Sequence, residues 1–392
     1  MCRRKKANRI ACLFLAVAMI VALAGCGEQE TDVSPSGDNS ETQTIKIAVA
    51  APMTGSLAEY GLGFFYASSL AAEGWNENGG VDVGGVKYNV EVVKYDDAGD
   101  TDQAVVVAEE IVSTPDIWCV IGHFASGVCM AAAPTYENAK YINISPSSSQ
   151  AEFTLNNEYI FRNNTVISVE TATGVEMAVE DLGCKNIGVL SIDTEWGLTA
   201  GNAMEDNLKE HGITDITRLE CASGQSDMAT EISKFKAAGV ECIMVAGEYD
   251  TLAPLALACS NSDYDVYLIG CSNAYTEALI DIAGEAAEGI YAPVSFFAGN
   301  PDERIQEYVT KYIDAYGSAP SALTTQAYDS VNIFLEAVER AGVLDREAIK
   351  DAMYETDHEG MSGYTTFDAE GDATKEFTKI MVKDGQFVIA EF

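Results

Sequence analysis

Short apolar runs alternate with longer stretches of helical periodicity from Ile45 to the end of the chain. Runs such as Ile45–Ala51 and Ile117–Ile121 have the length and the apolar character of buried strands. The stretches Tyr60–Asn76 and Thr101–Val112 instead have the spacing of helices. Strands separated by helices of this length are typical of βαβ units, so the pattern predicts a parallel sheet covered by helices.

The same alternation starts again after Arg162, with a helix predicted at Val166–Asp181 and a strand at Ile187–Ile192. We therefore expect an α/β fold with two doubly wound parallel-sheet lobes of similar size. Ligands of open α/β sheets bind beyond the carboxyl ends of the strands, so two facing lobes would enclose a small ligand. The last predicted elements are helices at Pro301–Tyr316, Thr325–Ala341 and Arg346–Tyr354 and strands at Tyr364–Phe367 and Phe387–Ala390.

The first 25 residues have the features of a secretory signal. A basic cluster precedes the apolar run Ile10–Ala24, which is shorter than the roughly 20 residues of a membrane-spanning helix. The segment Leu23-Ala24-Gly25-Cys26 resembles the bacterial lipobox, in which cleavage before the cysteine leaves a thiol that carries lipid. We expect residues 1–25 to be a lipoprotein signal peptide and Cys26 to be lipidated. The alternative is a plain signal peptide followed by an incidental cysteine.

A hydrophilic segment follows the signal, and the chain as a whole is strongly acidic. Residues 26–44 are rich in Ser, Thr, Asp, Glu and Gly without apolar periodicity, which indicates a flexible tether. The 392 residues carry a net charge of −38, which repels phosphate backbones and excludes nucleic acid as a partner. We therefore expect an extracytoplasmic domain that is lipid-anchored to the bacterial cell membrane.

Motifs for catalysis or metal binding are missing from the sequence. It contains no GxxxxGK[ST] phosphate loop, no HExxH and no GxSxG nucleophile elbow. The 10 cysteines include no CxxC, and the 3 histidines offer no multi-histidine metal site. His123 has no evident acid partner in the sequence, so we interpret it as a structural histidine rather than a general base. We expect no catalytic residue, no metal and no cofactor.

Two groups of serines follow neighbouring predicted strands. Ser126 comes after the strand Ile117–Ile121 and opens a helix, and Ser145-Pro146-Ser147-Ser148-Ser149 comes after the strand Tyr141–Ile144. Both groups are expected at the same edge of the first sheet. Hydroxyls and backbone N–H groups at a helix N-terminus can bind a carboxylate, although ordinary caps and turns also use serine.

The chain resembles the leucine/isoleucine/valine-binding proteins, the substrate-binding components of branched-chain amino-acid ABC transporters. The resemblance runs in order from about Ile45 to Phe392. The stretches that carry it are Ile45-Lys46-Ile47-Ala48-Val49, Met53-Thr54-Gly55, Ala58-Glu59-Tyr60-Gly61, Val93-Lys94-Tyr95-Asp96-Asp97, Val120-Ile121-Gly122-His123, Ile282-Ala283-Gly284-Glu285, Glu288-Gly289 and Phe367-Asp368-Ala369-Glu370-Gly371-Asp372.

This resemblance implies a type I periplasmic-binding fold with two lobes joined by a three-crossover hinge. Lobe 1 would hold residues 45–163 plus 294–362, and lobe 2 would hold residues 164–293 plus 363–392. A ligand in the cleft would favour the closed state, which an ABC permease in the membrane recognises. The protein is expected to act as a monomer.

The resemblance also assigns site residues. Ser126 would hydrogen-bond the ligand carboxylate, Ser147 would offer its backbone carbonyl to the ligand ammonium, and Ser149 would use its hydroxyl and N–H. Aromatic walls suit an apolar side chain, because burial of apolar surface stabilises by about 25 cal/mol per Å². The residues expected to form these walls are Tyr60, Phe124, Trp196 and Tyr249.

One departure from the family concerns the ligand ammonium. Relatives usually place an acid just after the last strand of the second lobe, where this sequence reads Gly270-Cys271-Ser272-Asn273. Ser272 is therefore a candidate ligand-binding residue without a charge. Either Glu248 or Asp250 supplies the counter-charge, or the ligand is an amide, a short carboxylate or an aromatic acid without an ammonium.

The sequence therefore predicts the solute-binding component of an ABC importer for a branched-chain or other apolar amino acid, and no enzyme. A secreted serine hydrolase using Ser126 and His123 is a remote alternative, because two residues of separation make their mutual hydrogen bond awkward. A sensory receptor domain on the same fold is the other alternative. The sequence shows no second apolar span and no signalling module in its favour.

Overall fold

The computed structural model describes residues 43–392. The predicted signal peptide, Cys26 and the predicted tether up to residue 42 lie outside the described residues. The predicted tether extends to Thr44, but the first strand already begins at Gln43. Gln43 and Thr44 pair with Tyr88 and Asn89 of a neighbouring strand, so these two residues belong to the folded domain.

The first sheet has six strands in the order β2-β3-β1-β4-β5-β6. All neighbours are parallel except β2 and β3, which form an antiparallel hairpin. Alternate residues of β1 pack into different clusters, Ile47 and Val49 on one face and Ala48 and Ala50 on the other, because helices cover both faces. The strands are β1 (Gln43–Ala51), β2 (Val81–Val83), β3 (Val86–Asp96), β4 (Ile117–Gly122), β5 (Ile142–Ser145) and β6 (Ile160–Arg162).

The second sheet has seven strands in the order β15-β14-β11-β10-β9-β7-β8. Its centre is parallel, but the last two strands run antiparallel through a hairpin. The hairpin loop is Asp384-Gly385, and both residues have positive φ as a type I′ turn requires. The strands are β7 (Ile187–Ile192), β8 (Ile216–Cys221), β9 (Cys242–Ala246), β10 (Tyr267–Ile269), β11 (Ile290–Val294), β14 (Thr378–Lys383) and β15 (Gln386–Ile389), and β12 (His358–Gly360) pairs separately with β13 (Gly363–Thr365).

Helices lie between the strands in the βαβ manner that the alternating pattern predicts. The predicted helix Thr101–Val112 begins and ends as expected, and its N-cap is Asp100, whose carboxylate accepts a hydrogen bond from the N–H of Gln103. The helices are α1 (Ala58–Glu77), α2 (Thr101–Val112), α3 (Ser126–Ala139), α4 (Ile167–Glu176), α5 (Glu195–Glu210), α6 (Ala229–Ala238), α7 (Tyr249–Asn261), α8 (Glu277–Ala283), α9 (Glu303–Tyr316), α10 (Ala322–Ala341) and α11 (Arg346–Met353).

The chain passes between the two sheets three times. After β6 it enters the second sheet through residues 163–166, and after β11 it leaves through residues 295–302. Helix α10 then packs against α1 and contacts β2 and β4, so the late helices return to the first sheet. Residues 366–377 finally lead to β14 in the second sheet. These three connections, together with the two sheets, form a two-lobed α/β architecture.

Candidate functional site

A cavity of about 320 Å³ lies where the carboxyl ends of strands from both sheets meet. Loops after β4 and β5 supply one wall, and loops after β7, β8, β9 and β10 supply the other. This is the position at which parallel α/β sheets bind ligands. Its lining residues are Leu57, Gly99, Thr101, Phe124, Ala125, Ser126, Gly127, Val128, Ser147, Ser149, Asn164, Glu170, Thr194, Glu195, Trp196, Ser223, Glu248, Ser272, Asn273 and Leu323.

The two predicted serine groups come together on the first wall. Ser126 is the first residue of α3, and its hydroxyl accepts a hydrogen bond of 3.3 Å from the backbone N–H of Ser149. Both side chains are nearly fully buried. The first N–H groups of a helix lack partners within the helix, so this wall offers hydroxyl and amide donors to an anionic group.

Ser147 is hydrogen-bonded to the loop that contains Phe124 and leads to Ser126. Its hydroxyl donates to the carbonyl of Phe124 at 2.7 Å and lies 3.2 Å from the carbonyl of His123. Its own carbonyl accepts a hydrogen bond of 2.9 Å from the side-chain amide of Asn164, in the first connection between the sheets. A carbonyl has two lone pairs, so this oxygen can accept a second donor from the cavity.

The aromatic residues divide into two that border the cavity and two that lie behind it. Phe124 and Trp196 line the cavity. Tyr60 stacks on Phe124 with ring centroids 4.1 Å apart, and the Tyr249 ring lies 5.5 Å from that of Tyr60. Neither tyrosine borders the cavity, so the structure places both as support for the Phe124 wall rather than in the wall itself.

Both tyrosines also connect the first sheet to the second. The Tyr60 hydroxyl, on α1, donates to the carbonyl of Asn273 at 2.8 Å, and the Tyr249 hydroxyl, at the start of α7, donates to the carbonyl of Ser56 at 2.7 Å. Of the eight ligand-binding residues that the sequence predicts, six therefore border the cavity. These six are Phe124, Ser126, Ser147, Ser149, Trp196 and Ser272.

The second wall contains two buried carboxylates. Glu248 follows β9, and Glu170 lies in the first turn of α4, where its Oε1 accepts a hydrogen bond of 2.5 Å from the backbone N–H of Ser272. Burial raises the pKa of Glu170 to about 7, although the hydrogen bonds from Ser272 oppose the shift. Burial also raises the pKa of Glu248 to about 7, with a smaller contribution from the nearby charge of Asp250.

Sequence reasoning considered Glu248 but missed Glu170. The missed signal is periodicity, because the buried positions of α4 include Ile167, Glu170, Thr171 and Gly174. These positions form one helical stripe, and an acid within a buried stripe is unusual unless it has a partner. Only the folded chain reveals that this stripe faces Ser272, which is 102 residues away in sequence.

Two polar atoms on this wall lack hydrogen-bond partners among residues 43–392. They are the Oε2 atom of Glu248 and the Oδ1 atom of Asn273. Each side chain is only 7% exposed. A third acid, Glu195, lies at the exposed rim. None of the described residues that line this cavity is basic.

His123 does not belong to the cavity, and its acid partner, not evident in the sequence, is Asp97. The ring Nδ1 lies 2.5 Å from Oδ2 of Asp97, and Nε2 lies 3.0 Å from the hydroxyl of Tyr136. All three side chains are fully buried. Because both ring nitrogens are occupied in the core, His123 cannot act as a general base toward Ser126, and the hydrolase alternative loses its base.

A second cavity of about 510 Å³ lies on the other side of Tyr60. Its walls combine aromatic side chains such as Tyr275, Phe297 and Tyr312 with acidic and hydroxyl side chains. Of the eight predicted ligand-binding residues, Tyr60 alone borders this second cavity. The smaller cavity is therefore the candidate functional site, because it alone joins the serine donors to the buried acids.

The described part of the chain has two further features that bear on its class. No helix within residues 43–392 combines the length and the hydrophobicity that crossing a membrane requires. The seven cysteines within the same range are all buried free thiols, namely Cys119, Cys129, Cys184, Cys221, Cys242, Cys259 and Cys271.

A two-sheet fold with three connections and a cavity between the sheets defines a solute-binding protein of the two-lobed type. The model of the periplasmic binding protein family matches residues 44–386, and the chain belongs to this family. Proteins of this family bind solutes outside the cytoplasm and do not catalyse reactions, which confirms the predicted family, fold class and binding role.

Several relatives of known name are similar along most of the chain. The leucine-, isoleucine-, valine-, threonine- and alanine-binding protein of Pseudomonas aeruginosa is 28% identical over 84% of this chain and 87% of its own. The crystal structure of a leucine-binding protein from Thermotoga maritima has a TM-score of 0.81 at 27% identity, covering 88% of this chain and 98% of its own. A branched-chain amino acid transporter substrate-binding protein from Streptococcus pneumoniae, in complex with isoleucine, has a TM-score of 0.81 at 25% identity, with the same coverage.

Proposed function

We propose that this protein binds an apolar α-amino acid in the 320 Å³ cavity and delivers it to the permease of an ABC importer. The observation that carries the proposal is the pairing of hydroxyl donors, Ser126 and Ser149, with the aromatic walls Phe124 and Trp196 in one enclosed space. Donors suit the carboxylate of an amino acid, and aromatic walls suit an apolar side chain. The names of the relatives from Pseudomonas and Thermotoga support the same ligand class.

The proposed binding mode uses both walls. The ligand carboxylate would accept hydrogen bonds from the hydroxyls of Ser126 and Ser149 and from the N–H of Ser149, which would exchange its present acceptor, the Ser126 hydroxyl, for the ligand. The ligand ammonium would donate to the carbonyl of Ser147, and the side chain would lie against Phe124 and Trp196. These walls belong to different lobes if lobe 1 holds residues 45–163 plus 294–362 and lobe 2 holds residues 164–293 plus 363–392. The pairing of β14 and β15 with the second sheet supports the assignment of residues 378–389 to lobe 2.

We further propose that Cys26 carries a lipid and that residues 26–42, up to the first strand, tether a monomeric domain to the outer face of the membrane. The lipobox-like segment ending at Cys26 and the absence of apolar periodicity up to Glu41 support this arrangement. Metabolic labelling with a fatty acid tests it. The label should enter the full-length chain and should be lost in Cys26→Ser. Label in both chains would contradict the anchor.

Calorimetry against the twenty standard amino acids tests the ligand class. We expect micromolar or tighter binding of leucine, isoleucine or valine and at least about 100-fold weaker binding of glutamate and lysine, since a buried charge without a partner is costly. Ser126→Ala should weaken binding about 10- to 100-fold, because hydrogen bonds to charged groups contribute about 1.5–3 kcal/mol. The exposed Ser168, outside the cavity, provides the control variant Ser168→Ala. Absence of binding by every apolar amino acid would refute this ligand class.

A further inference from the structure

We infer that Glu248, Glu170 and Asn273 form a cation subsite that binds the ligand ammonium and excludes ligands without one. This inference rests on the proposed function and specifies its ligand class. The sequence leaves two possibilities open at Ser272, a counter-charge supplied by another residue or a ligand without an ammonium. The inference selects the first. Amides, short carboxylates and aromatic acids would not satisfy such a subsite.

The first observation is an unpartnered carboxylate oxygen. Glu248 occupies the N-cap position of α7 without a side-chain capping bond, lines the cavity and is 7% exposed, and its Oε2 has no hydrogen-bond partner among the described residues. Leaving a buried acceptor unsatisfied costs about 1–3 kcal/mol, and more when it is charged. A bound ammonium has three donors and would remove this cost.

The second observation is that two more acceptors lie on the same wall. Asn273 lines the cavity with an unpartnered Oδ1, and its backbone carbonyl is already used by the Tyr60 hydroxyl. Glu170 lines the cavity and holds the Ser272 N–H through Oε1. Ser272 therefore does not replace the missing acid by itself. Its backbone N–H positions Glu170, which brings a carboxylate close to the position at which relatives usually have an acid.

The third observation is the charge of the cavity. Its titratable lining side chains are three acids, Glu170, Glu195 and Glu248, and no described lining residue is basic. A ligand carboxylate without a compensating ammonium would add a fourth negative charge to a space that contains no cation. Repulsion between buried like charges makes such binding costly, whereas an ammonium between the walls would be attracted to both acids.

The location of the subsite opposite the serine donors fits a zwitterion. Ser126 and Ser149 face the cavity from the first sheet, and the acids face it from the second. An α-amino acid carries its two charged groups on the same carbon atom, pointing in different directions, so it can contact both walls at once. The subsite would therefore bridge the two lobes through the ligand and stabilise the closed arrangement.

A double-mutant cycle between protein and ligand tests the subsite. The ligand probes are leucine and 4-methylpentanoate, which is leucine without its amine, and the protein variants are Glu248→Gln and Glu170→Gln. The wild-type protein should prefer leucine by at least about 100-fold, and each variant should reduce this preference about tenfold or more, as close charge pairs do in such cycles. Glu152→Gln is the matched control, because it removes an equal charge from an exposed glutamate that does not line the cavity, and it should leave the preference unchanged.

The ratio of the two affinities is informative because a purely structural effect of a substitution would weaken the binding of both probes equally. Gln can still accept the Ser272 N–H at position 170, and thermal unfolding of each variant checks that the fold is retained. The subsite would be overturned if both variants kept the wild-type preference for leucine, or if the wild-type protein bound the two probes equally. In either case leucine would still bind, so the proposed function would stand. Failure of the wild-type protein to bind any amino acid would instead refute the proposed function and the subsite with it.

Discussion

The indole Nε1–H of Trp196 donates a hydrogen bond of 2.9 Å to the hydroxyl of Ser149. Trp196 lies in the first turn of α5, after a strand of the second sheet, and Ser149 lies in a loop of the first sheet. The bond therefore joins the two walls of the cavity, and we propose that both residues that form it bind the ligand.

Trp196→Phe should weaken leucine binding about fivefold to tenfold, because it removes one hydrogen bond and retains an aromatic wall. The chain has 3 tryptophans, so fluorescence reports on the same site. We expect a leucine-dependent change in emission that Trp75→Phe and Trp118→Phe preserve and Trp196→Phe abolishes. A signal that survives Trp196→Phe would place the ligand elsewhere.

Leucine affinity should rise with pH between about 5.5 and 8. Burial raises the pKa values of Glu170 and Glu248 to about 7, so both carboxyls are largely protonated below that pH. An ammonium binds the ionised form, so binding below pH 7 must release protons to the buffer. The gain should be at least about tenfold between pH 6 and pH 8.

Other titratable groups near the two acids do not reverse this sign. Burial raises the pKa of Asp250, which adds a proton-binding acid of the same kind. Burial also raises the pKa values of the neighbouring thiols and phenols, which stay neutral in this range, and these are Cys221, Cys271, Tyr60 and Tyr249. Calorimetry in buffers of different ionisation enthalpy measures the proton release directly. Affinity that is flat or falls toward pH 8 would contradict the prediction.

His123→Ala should destabilise the fold by about 3 kcal/mol, because it leaves the buried Asp97 without its partner. It should also weaken leucine binding, since His123 belongs to the loop that carries Phe124 and Ser126. Denaturant unfolding measures the first effect and calorimetry the second. His211→Ala, at an exposed histidine, should change stability by less than about 0.5 kcal/mol. Equal effects of the two substitutions would refute a special role for the buried pair.

His358→Gln should destabilise the protein more at pH 6 than at pH 10. Burial opposes the charge of His358, but the hydrogen bond with Glu336 and the ion pair with Asp329, 3.8 Å away, outweigh it and raise its pKa to about 9. A histidine pKa above its unfolded value of about 6.5 adds stability that is complete below pH 6.5 and lost as the pH rises through 9. The difference should approach about 3 kcal/mol at pH 6. Denaturant unfolding that shows the same loss at both pH values would contradict this pH dependence.

This histidine belongs to a buried polar network beside the connections between the sheets. Asp329 accepts hydrogen bonds from the N–H and hydroxyl of Ser362, and the ammonium of Lys375 donates to Thr365 at 2.7 Å. Burial lowers the pKa of Lys375 to about 8. Thr365 in turn donates to Asn163 of the first connection at 3.4 Å. Apolar periodicity gives no indication of such a network, because its members come from distant segments.

Elements with strong periodicity were predictable, and short edge elements were not. The helix Thr101–Val112 was predicted to the residue, since twelve positions of helical spacing leave little ambiguity. Strands β2 and β6 have only three residues each, and β11 contains Pro293, so they lack a strand pattern. The hairpin of β14 and β15 has an Asp384-Gly385 turn, which is a local sequence signal for a two-residue hairpin loop.

The sequence by itself determined the alternation of strands and helices, and with it the edge of the first sheet at which Ser126 and Ser149 lie, because parallel strands all end on the same side. Only the tertiary structure decided what faces those serines. Glu170 comes from a helix, and the Ser272 N–H that it holds comes from a loop 102 residues later. Local pattern cannot encode such a meeting, since it depends on how two sheets pack and on which polar atoms burial leaves unpaired.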